Sequence, residues 1–133
     1  MDETRPGLSD AERETLRAIW DHGPGTVRQI LELLGARGRR WAYSTVATLL
    51  RRLEAKGYAA SEPAGGALVY RASFSREELL DQRLKDAAEE LCDGAATPLV
   101  LALVQGNRFT PEELDRIKGL IDDARKKSGS PSK

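Results

Sequence analysis

Cysteine and histidine are almost absent from this chain. One cysteine, Cys92, cannot form an intrachain disulfide, which is typical of proteins from a reducing compartment. Long hydrophobic runs are also lacking, since the longest, residues 98–104, is far shorter than the roughly 18 apolar residues of a membrane span. The first residues have no basic start followed by an apolar stretch, so no secretory signal is predicted. These absences predict a cytoplasmic protein without membrane insertion.

Residues that carry enzyme or metal chemistry are equally scarce. His22 is the single histidine and lies in a Gly/Pro turn, without the second histidine or clustered cysteines that a metal site needs. Cys92 lies in an Ala/Leu-rich helix, where a lone cysteine is usually a small hydrophobic residue rather than a redox sensor. No nucleophile–base set or phosphate-binding loop is present. We therefore expect no enzyme activity, no metal and no cofactor.

A net charge of one sign is missing too, with 21 basic and 21 acidic residues, but the charges are unevenly distributed. Residues 28–56 contain seven basic side chains against two acidic ones, Glu32 and Glu54. The basic ones are Arg28, Arg37, Arg39, Arg40, Arg51, Arg52 and Lys56. A local excess matters more than the total, because salt screens charges beyond about 10 Å. This segment is a candidate nucleic-acid contact.

Start, stop and turn signals divide the chain into four parts. Residues 1–7 are predicted to be a mobile N-terminus, and residues 126–133 a disordered Ser/Gly/Pro/Lys tail. Residues 8–74 read as helix, helix, a loop of residues 36–41 (the basic loop), a third helix over about 42–56, and a β-hairpin around residues 63–66. Residues 75–125 read as three helices. The predicted fold is mainly α with a small β-hairpin: a winged helix-turn-helix followed by a C-terminal helical dimerisation arm.

The third helix of a winged helix-turn-helix enters the major groove of DNA. Its apolar positions should face the core, which leaves hydroxyl and arginine side chains on the outer faces. Small hydroxyl residues suit base edges and arginines suit phosphates. On this pattern the predicted base contacts are Ser44, Thr45 and Thr48. The predicted phosphate contacts are Arg37, Arg39, Arg40, Tyr43 and Arg52.

The C-terminal arm, residues 75–125, carries more apolar side chains than three short helices can enclose within one chain. Left exposed, they would form a patch larger than soluble monomers normally tolerate. Pairing with a second copy is the simplest solution, and a two-fold interface suits a palindromic site. The predicted interface residues are Leu84, Leu91, Leu99, Leu101, Leu103, Val104, Leu114, Ile117 and Ile121.

Several segments resemble the penicillinase and methicillin-resistance repressors (BlaI/MecI type). They are residues 8–12, the Ile19-Trp20 pair, the WAYSTVATLLRRLEAKGYA segment, GGALVYRA, TPLVLALV and FTPEELDRIKGLID, which together cover residues 8–124. The resemblance implies a homodimer that represses transcription from a palindromic, double-stranded operator DNA. It also implies that Thr45 and Thr48 read bases and that Arg51, on a neighbouring groove-facing position, is a fourth base contact. It also makes a membrane sensor protease a candidate partner.

The chain departs from that family in three places. Ala102 and Leu103 stand where the antibiotic-resistance repressors are cleaved at an Asn-Phe bond, so we expect resistance to cleavage there. The cysteine-rich tail of the copper-responsive relatives is absent. The hairpin tip, residues 63–66, has no basic residue, so the wing should contribute few phosphate contacts.

Two other functions remain open from the sequence. A winged-helix regulator gated by a small ligand between the domain and the arm is one, although aromatics are few and no polar group stands out within an apolar pocket. A protein-interaction module that does not bind DNA is the other. The basic excess around the third helix disfavours it.

Overall fold

The computed structural model describes residues 6–128, which form six helices and three short strands. In chain order these are α1 (Asp10–His22), β1 (Gly25–Thr26), α2 (Val27–Ala36), α3 (Tyr43–Ala55), β2 (Ala59–Ala64), β3 (Ala67–Ala72), α4 (Arg76–Cys92), α5 (Thr97–Gly106) and α6 (Pro111–Ser128). The predicted fold class, mainly helical with a small antiparallel sheet, is confirmed.

Reciprocal caps start the first two helices. The Ser9 hydroxyl accepts from the Glu12 backbone N–H at 3.1 Å, and the Glu12 carboxylate accepts from the Ser9 N–H at 2.9 Å. Thr26 and Gln29 form the same box at α2. Each box satisfies two backbone donors that the first turn of a helix leaves free. These caps fix where α1 and α2 begin.

One apolar core joins α1, α2, α3 and the sheet. Leu16, Ile30, Val46, Leu50 and Leu53 are all fully buried in it. Burial of each such side chain contributes about 1.5–3 kcal/mol. Since this core holds α3 by one side only, the other side of α3 is free to face a ligand.

The sheet has three antiparallel strands in the order β1-β3-β2. The β2–β3 hairpin, the wing, turns through Gly65 and Gly66, whose φ angles of 57° and 83° are those a two-residue hairpin turn requires. The third strand, β1, was not predicted: Gly25 and Thr26 pair with Tyr70 and Val69. A strand of two residues is too short to show the alternation of apolar and polar side chains from which strands are predicted.

The chain divides into two compact units, one up to Asp86 and one from Ala87 onward. The first unit therefore extends beyond the predicted boundary at residue 74 and includes the first turns of α4. Its Pro6 and Gly7 carbonyls accept hydrogen bonds from the Tyr58 hydroxyl and Lys56 Nζ. The sequence predicts a mobile segment over residues 1–7, but Pro6 and Gly7 are held by these hydrogen bonds. Residues 1–5 lie outside the described part of the chain.

The second unit contains the end of α4 together with α5 and α6. Neither α5 nor α6 has a buried residue. Helix α6 continues to Ser128, past the predicted start of the tail at residue 126, because Arg125, Lys126 and Lys127 in its last turn favour the helix dipole. Residues 129–133 of the predicted tail lie outside the described part of the chain.

Candidate nucleic-acid interface

Helix α3 presents its polar side to the surface. Val46, Leu49, Leu50 and Leu53 are buried, as the helical spacing predicts. Ser44, Thr45, Arg51 and Arg52 are exposed, and Thr48 is half-buried. The four predicted base-contacting residues therefore lie on the outer faces of one helix.

Three of the hydroxyl side chains also share one concavity. Ser44, Thr48 and Arg52 recur every four residues, so they lie above one another on α3. Together with Thr45 and Leu49 they line a depression of about 290 Å³. The Arg51 guanidinium donates to the Thr48 hydroxyl at 3.1 Å, which links two of the predicted base contacts. Hydroxyls and guanidinium groups at one surface can read acceptors and donors on base edges.

The predicted phosphate contacts in the basic loop do not share one environment. Arg37 is paired with Asp21, and Arg39 lies 2.8 Å from a Glu14 carboxylate oxygen, so both arginines contact carboxylates of α1. Arg39 also stacks on Trp41, with its Cζ 5.6 Å from the ring centroid. Arg40 is exposed and has no ion pair within residues 6–128.

Arg28 was counted in the basic segment but not among the predicted site residues. Its Cζ lies 5.4 Å from the centroid of the Tyr43 ring, and both side chains are exposed. Tyr43 opens α3 and is 49% exposed. This cation–π contact places Arg28 of α2 beside the start of α3. Because the pair joins two helices, sequence spacing alone could not identify it.

The C-terminal end of α3 is held to α1 by a buried ion pair. Lys56 Nζ lies 2.6 Å from the Glu12 carboxylate, which is only 2% exposed. Burial by itself raises the pKa of Glu12, but the hydrogen bonds from Lys56 and Ser9 and the Lys56 charge outweigh it, so the pKa lies below its ordinary value. The pair is a structural support for α3 that sequence analysis missed.

Asp21 has a comparable role at the other end of α1. It accepts hydrogen bonds from Arg37 of the basic loop and Arg76 of α4. These bonds, Arg37 first, hold the pKa of the Asp21 carboxyl below its ordinary value. The basic loop and the start of α4 therefore share one carboxylate.

The predicted dimer-interface residues are mostly exposed in the single chain. Leu99 and Ile117 are half-buried. The other predicted members are 41–75% exposed: Leu84, Leu91, Leu101, Leu103, Val104, Leu114 and Ile121. Dimerisation through these side chains stays a prediction.

In the described part of the chain, no helix is both long and apolar enough to cross a membrane. Within residues 6–128, no three His, Cys, Asp or Glu side chains are grouped so as to hold a metal ion.

Comparison with known proteins identifies relatives along most of the chain. Residues 8–123 match the model of the penicillinase repressor family. The chain is 22% identical over 118 residues to the penicillinase repressor of Bacillus licheniformis, covering 89% of this chain and 91% of that protein. It is 35% identical over 95 residues to the transcriptional regulator BlaI of Mycobacterium tuberculosis, covering 71% and 68%.

A solved structure of the DNA-binding domain of the repressor BlaI is similar with a TM-score of 0.49 and 27% identity, over 58% of this chain and 93% of that domain. The family model, which spans most of the chain, decides the assignment. The chain belongs to the penicillinase repressor family of DNA-binding transcriptional repressors.

Proposed function

We propose that this DNA-binding repressor acts as a homodimer on a palindromic operator, with α3 of each copy in the major groove. The outer face of α3 carries the proposal, because Ser44, Thr45, Thr48 and Arg51 combine hydroxyl and guanidinium groups on the side opposite the core. A helix in the major groove meets base edges with such groups. Family membership supports the same function.

Phosphate contacts are assigned by the availability of each arginine. Arg40 and Arg52 are exposed, and neither has an ion pair within residues 6–128. Arg37 and Arg39 would exchange the exposed Asp21 and the half-buried Glu14 for phosphates, and ion pairs at the surface contribute only about 0–1 kcal/mol. Arg28, stacked on Tyr43, is added to this set.

Dimerisation is proposed from the apolar side chains of residues 75–125. Leu91 is 75% exposed, and Leu101 and Leu103 are about half exposed. Large exposed apolar surface usually marks an interface. Two joined DNA-binding units bind a paired site more tightly than either unit does alone.

A membrane sensor protease is a further candidate partner. Its usual site in the antibiotic-resistance repressors, an Asn-Phe bond, is replaced here by Ala102-Leu103. Release by cleavage at this bond is therefore not part of the proposed function.

The salt dependence of DNA binding tests the proposal. Each neutralised phosphate adds about −0.9 to the slope of log affinity against log salt concentration. Arg40→Ala combined with Arg52→Ala should flatten the slope by about 2 per protomer and weaken binding equally on operator and random DNA. Arg125→Ala, an exposed arginine of α6, is the control. A wild-type slope in the double variant would contradict this assignment of phosphate contacts.

A further inference from the structure

We propose that a cavity between α1 and α4 binds a small amphipathic organic anion, a carboxylate attached to a short apolar body. The cavity has a volume of about 470 Å³, and every residue that lines it belongs to the first compact unit. That volume lies within the range of small-molecule sites, about 300–1,000 Å³. No predicted DNA contact and none of the nine predicted dimer-interface residues lines it; Leu79 and Leu80, which do line it, belong to the arm but not to that set.

The floor of the cavity is apolar. Leu16, fully buried, and the half-buried Trp20 contribute from α1, while Leu79 contributes from α4. The Trp20 indole is fixed in place, because its Nε1–H donates to the Phe74 carbonyl at 2.9 Å. Because Leu16 is already out of water, a ligand lying here would cover the exposed parts of Trp20 and Leu79, which favours a hydrocarbon or aromatic body.

Four arginines line the same cavity, and no acidic side chain does so among the described residues. They are Arg13 and Arg17 of α1 and Arg76 and Arg83 of α4. Guanidinium groups bind carboxylates through parallel charge-assisted hydrogen bonds. Four cations around one cavity also repel one another. A bound anion would therefore both pair with a guanidinium group and reduce that repulsion.

The arginines are only partly neutralised by their neighbours. Arg13 pairs with Asp10, which is 94% exposed, and Arg76 pairs with Asp21, which Arg37 shares. Arg83 donates to the Tyr58 hydroxyl and has no ion pair among the described residues.

The Arg17 side chain has no hydrogen bond or ion pair within the described residues. Its guanidinium is the group most available to a bound carboxylate. Because it supports no other contact, its substitution should also leave the fold intact.

An apolar floor beneath a cationic rim selects for both parts of the ligand. A simple anion such as acetate or inorganic phosphate would leave the floor exposed to water. A neutral amide of the same length would leave the guanidinium groups without a charged partner. The chemistry therefore points to a molecule in which an anionic head and an apolar body are joined.

Titration of the full chain with octanoate tests this inference, with octanamide, acetate and inorganic phosphate as comparison ligands. In a Trp41→Phe variant Trp20 is the remaining tryptophan, so its fluorescence reports binding in the cavity. Octanoate should bind at least tenfold more tightly than each of the other three. Equal binding of octanoate and octanamide, or no change in Trp20 fluorescence and no heat in calorimetry, would overturn the proposal.

A matched pair of variants locates the site. Arg13→Gln combined with Arg17→Gln should weaken octanoate binding at least tenfold and leave the circular dichroism spectrum unchanged. Arg108→Gln combined with Arg125→Gln removes the same charge from residues that do not line the cavity, and should have no effect. Equal weakening in both double variants would mean that octanoate responds only to net charge, and would refute the site.

Discussion

Replacing Lys56, the partner of the buried Glu12 carboxylate, should destabilise the folded chain. Glu12 is 2% exposed and accepts hydrogen bonds from Lys56 Nζ at 2.6 Å and from the Ser9 N–H at 2.9 Å. Lys56→Met keeps most of the aliphatic chain but removes the ammonium group. The Glu12 carboxylate would then retain the Ser9 bond alone in a buried position.

The cost follows from how far each partner is buried. Breaking a fully buried pair from one side costs about 3–5 kcal/mol, because a buried charge is left without compensation. The Lys56 side chain is 27% exposed, so water already weakens the pair, and we expect a loss of about 2–3 kcal/mol in the free energy of unfolding. Adding Glu12→Gln to Lys56→Met should recover part of this loss, since the unpaired charge is gone.

Urea unfolding of the full chain, followed by circular dichroism at one protomer concentration, measures these changes. Lys85→Met is the matched control, because Lys85 and Asp81 also form a lysine–carboxylate pair, 3.1 Å apart, but their side chains are 70% and 66% exposed. It should change stability by less than about 0.5 kcal/mol. Equal effects of Lys56→Met and Lys85→Met would refute the reasoning.

The same pair makes stability depend on pH. Because the pKa of Glu12 is lowered in the folded chain, its contribution is present above the unfolded-state pKa and is lost as pH falls through the folded-state pKa. Lys56→Met removes that contribution. The stability difference between wild type and variant should therefore be largest near neutral pH and shrink towards about pH 3.

Three further predictions concern DNA, the dimer and proteolysis. Thr45→Ala or Thr48→Ala should lower operator affinity by about 1–3 kcal/mol and leave random-DNA affinity nearly unchanged, as measured by fluorescence anisotropy; equal losses on both would assign these threonines to phosphates. Leu101→Asp should convert the dimer into monomers in sedimentation and weaken operator binding, whereas a dimer that persists would exclude Leu101 from the interface. A family sensor protease should leave the Ala102–Leu103 bond intact in mass spectrometry, and a cut there would contradict the expected resistance.

The starts of α1, α2, α4 and α6 could be predicted well because their cause is local. Ser9, Thr26, Ser75 and Thr110 each precede a Glu or Gln by three residues, and all four caps are present as reciprocal hydrogen bonds. Such a bond depends on a few neighbouring residues, so the sequence contains all the information. The buried face of α3 follows for the same reason, from the spacing of its apolar residues.

The contacts that the sequence did not reveal join distant residues. Lys56 and Glu12 are 44 positions apart, and the arginines of the cavity lie on α1 and α4. Strand β1 is only two residues long and forms because β3 offers it an edge. In each case the deciding partner comes from packing, which no local pattern encodes.

Those distant contacts also explain how a chain with no net charge can bind a polyanion. Carboxylates of α1 hold Arg37 and Arg39 in the single chain; the Arg37–Asp21 pair is exposed, and Glu14 of the other pair is half-buried. Pairs at the surface cost only about 0–1 kcal/mol to break, so we expect a phosphate to displace Asp21 or Glu14. On this reasoning the acidic residues balance the total charge while Arg37 and Arg39 stay available for the proposed phosphate contacts. Arg40, which has no ion pair among the described residues, needs no exchange, and we expect its contribution to the salt slope to be the largest in the basic loop.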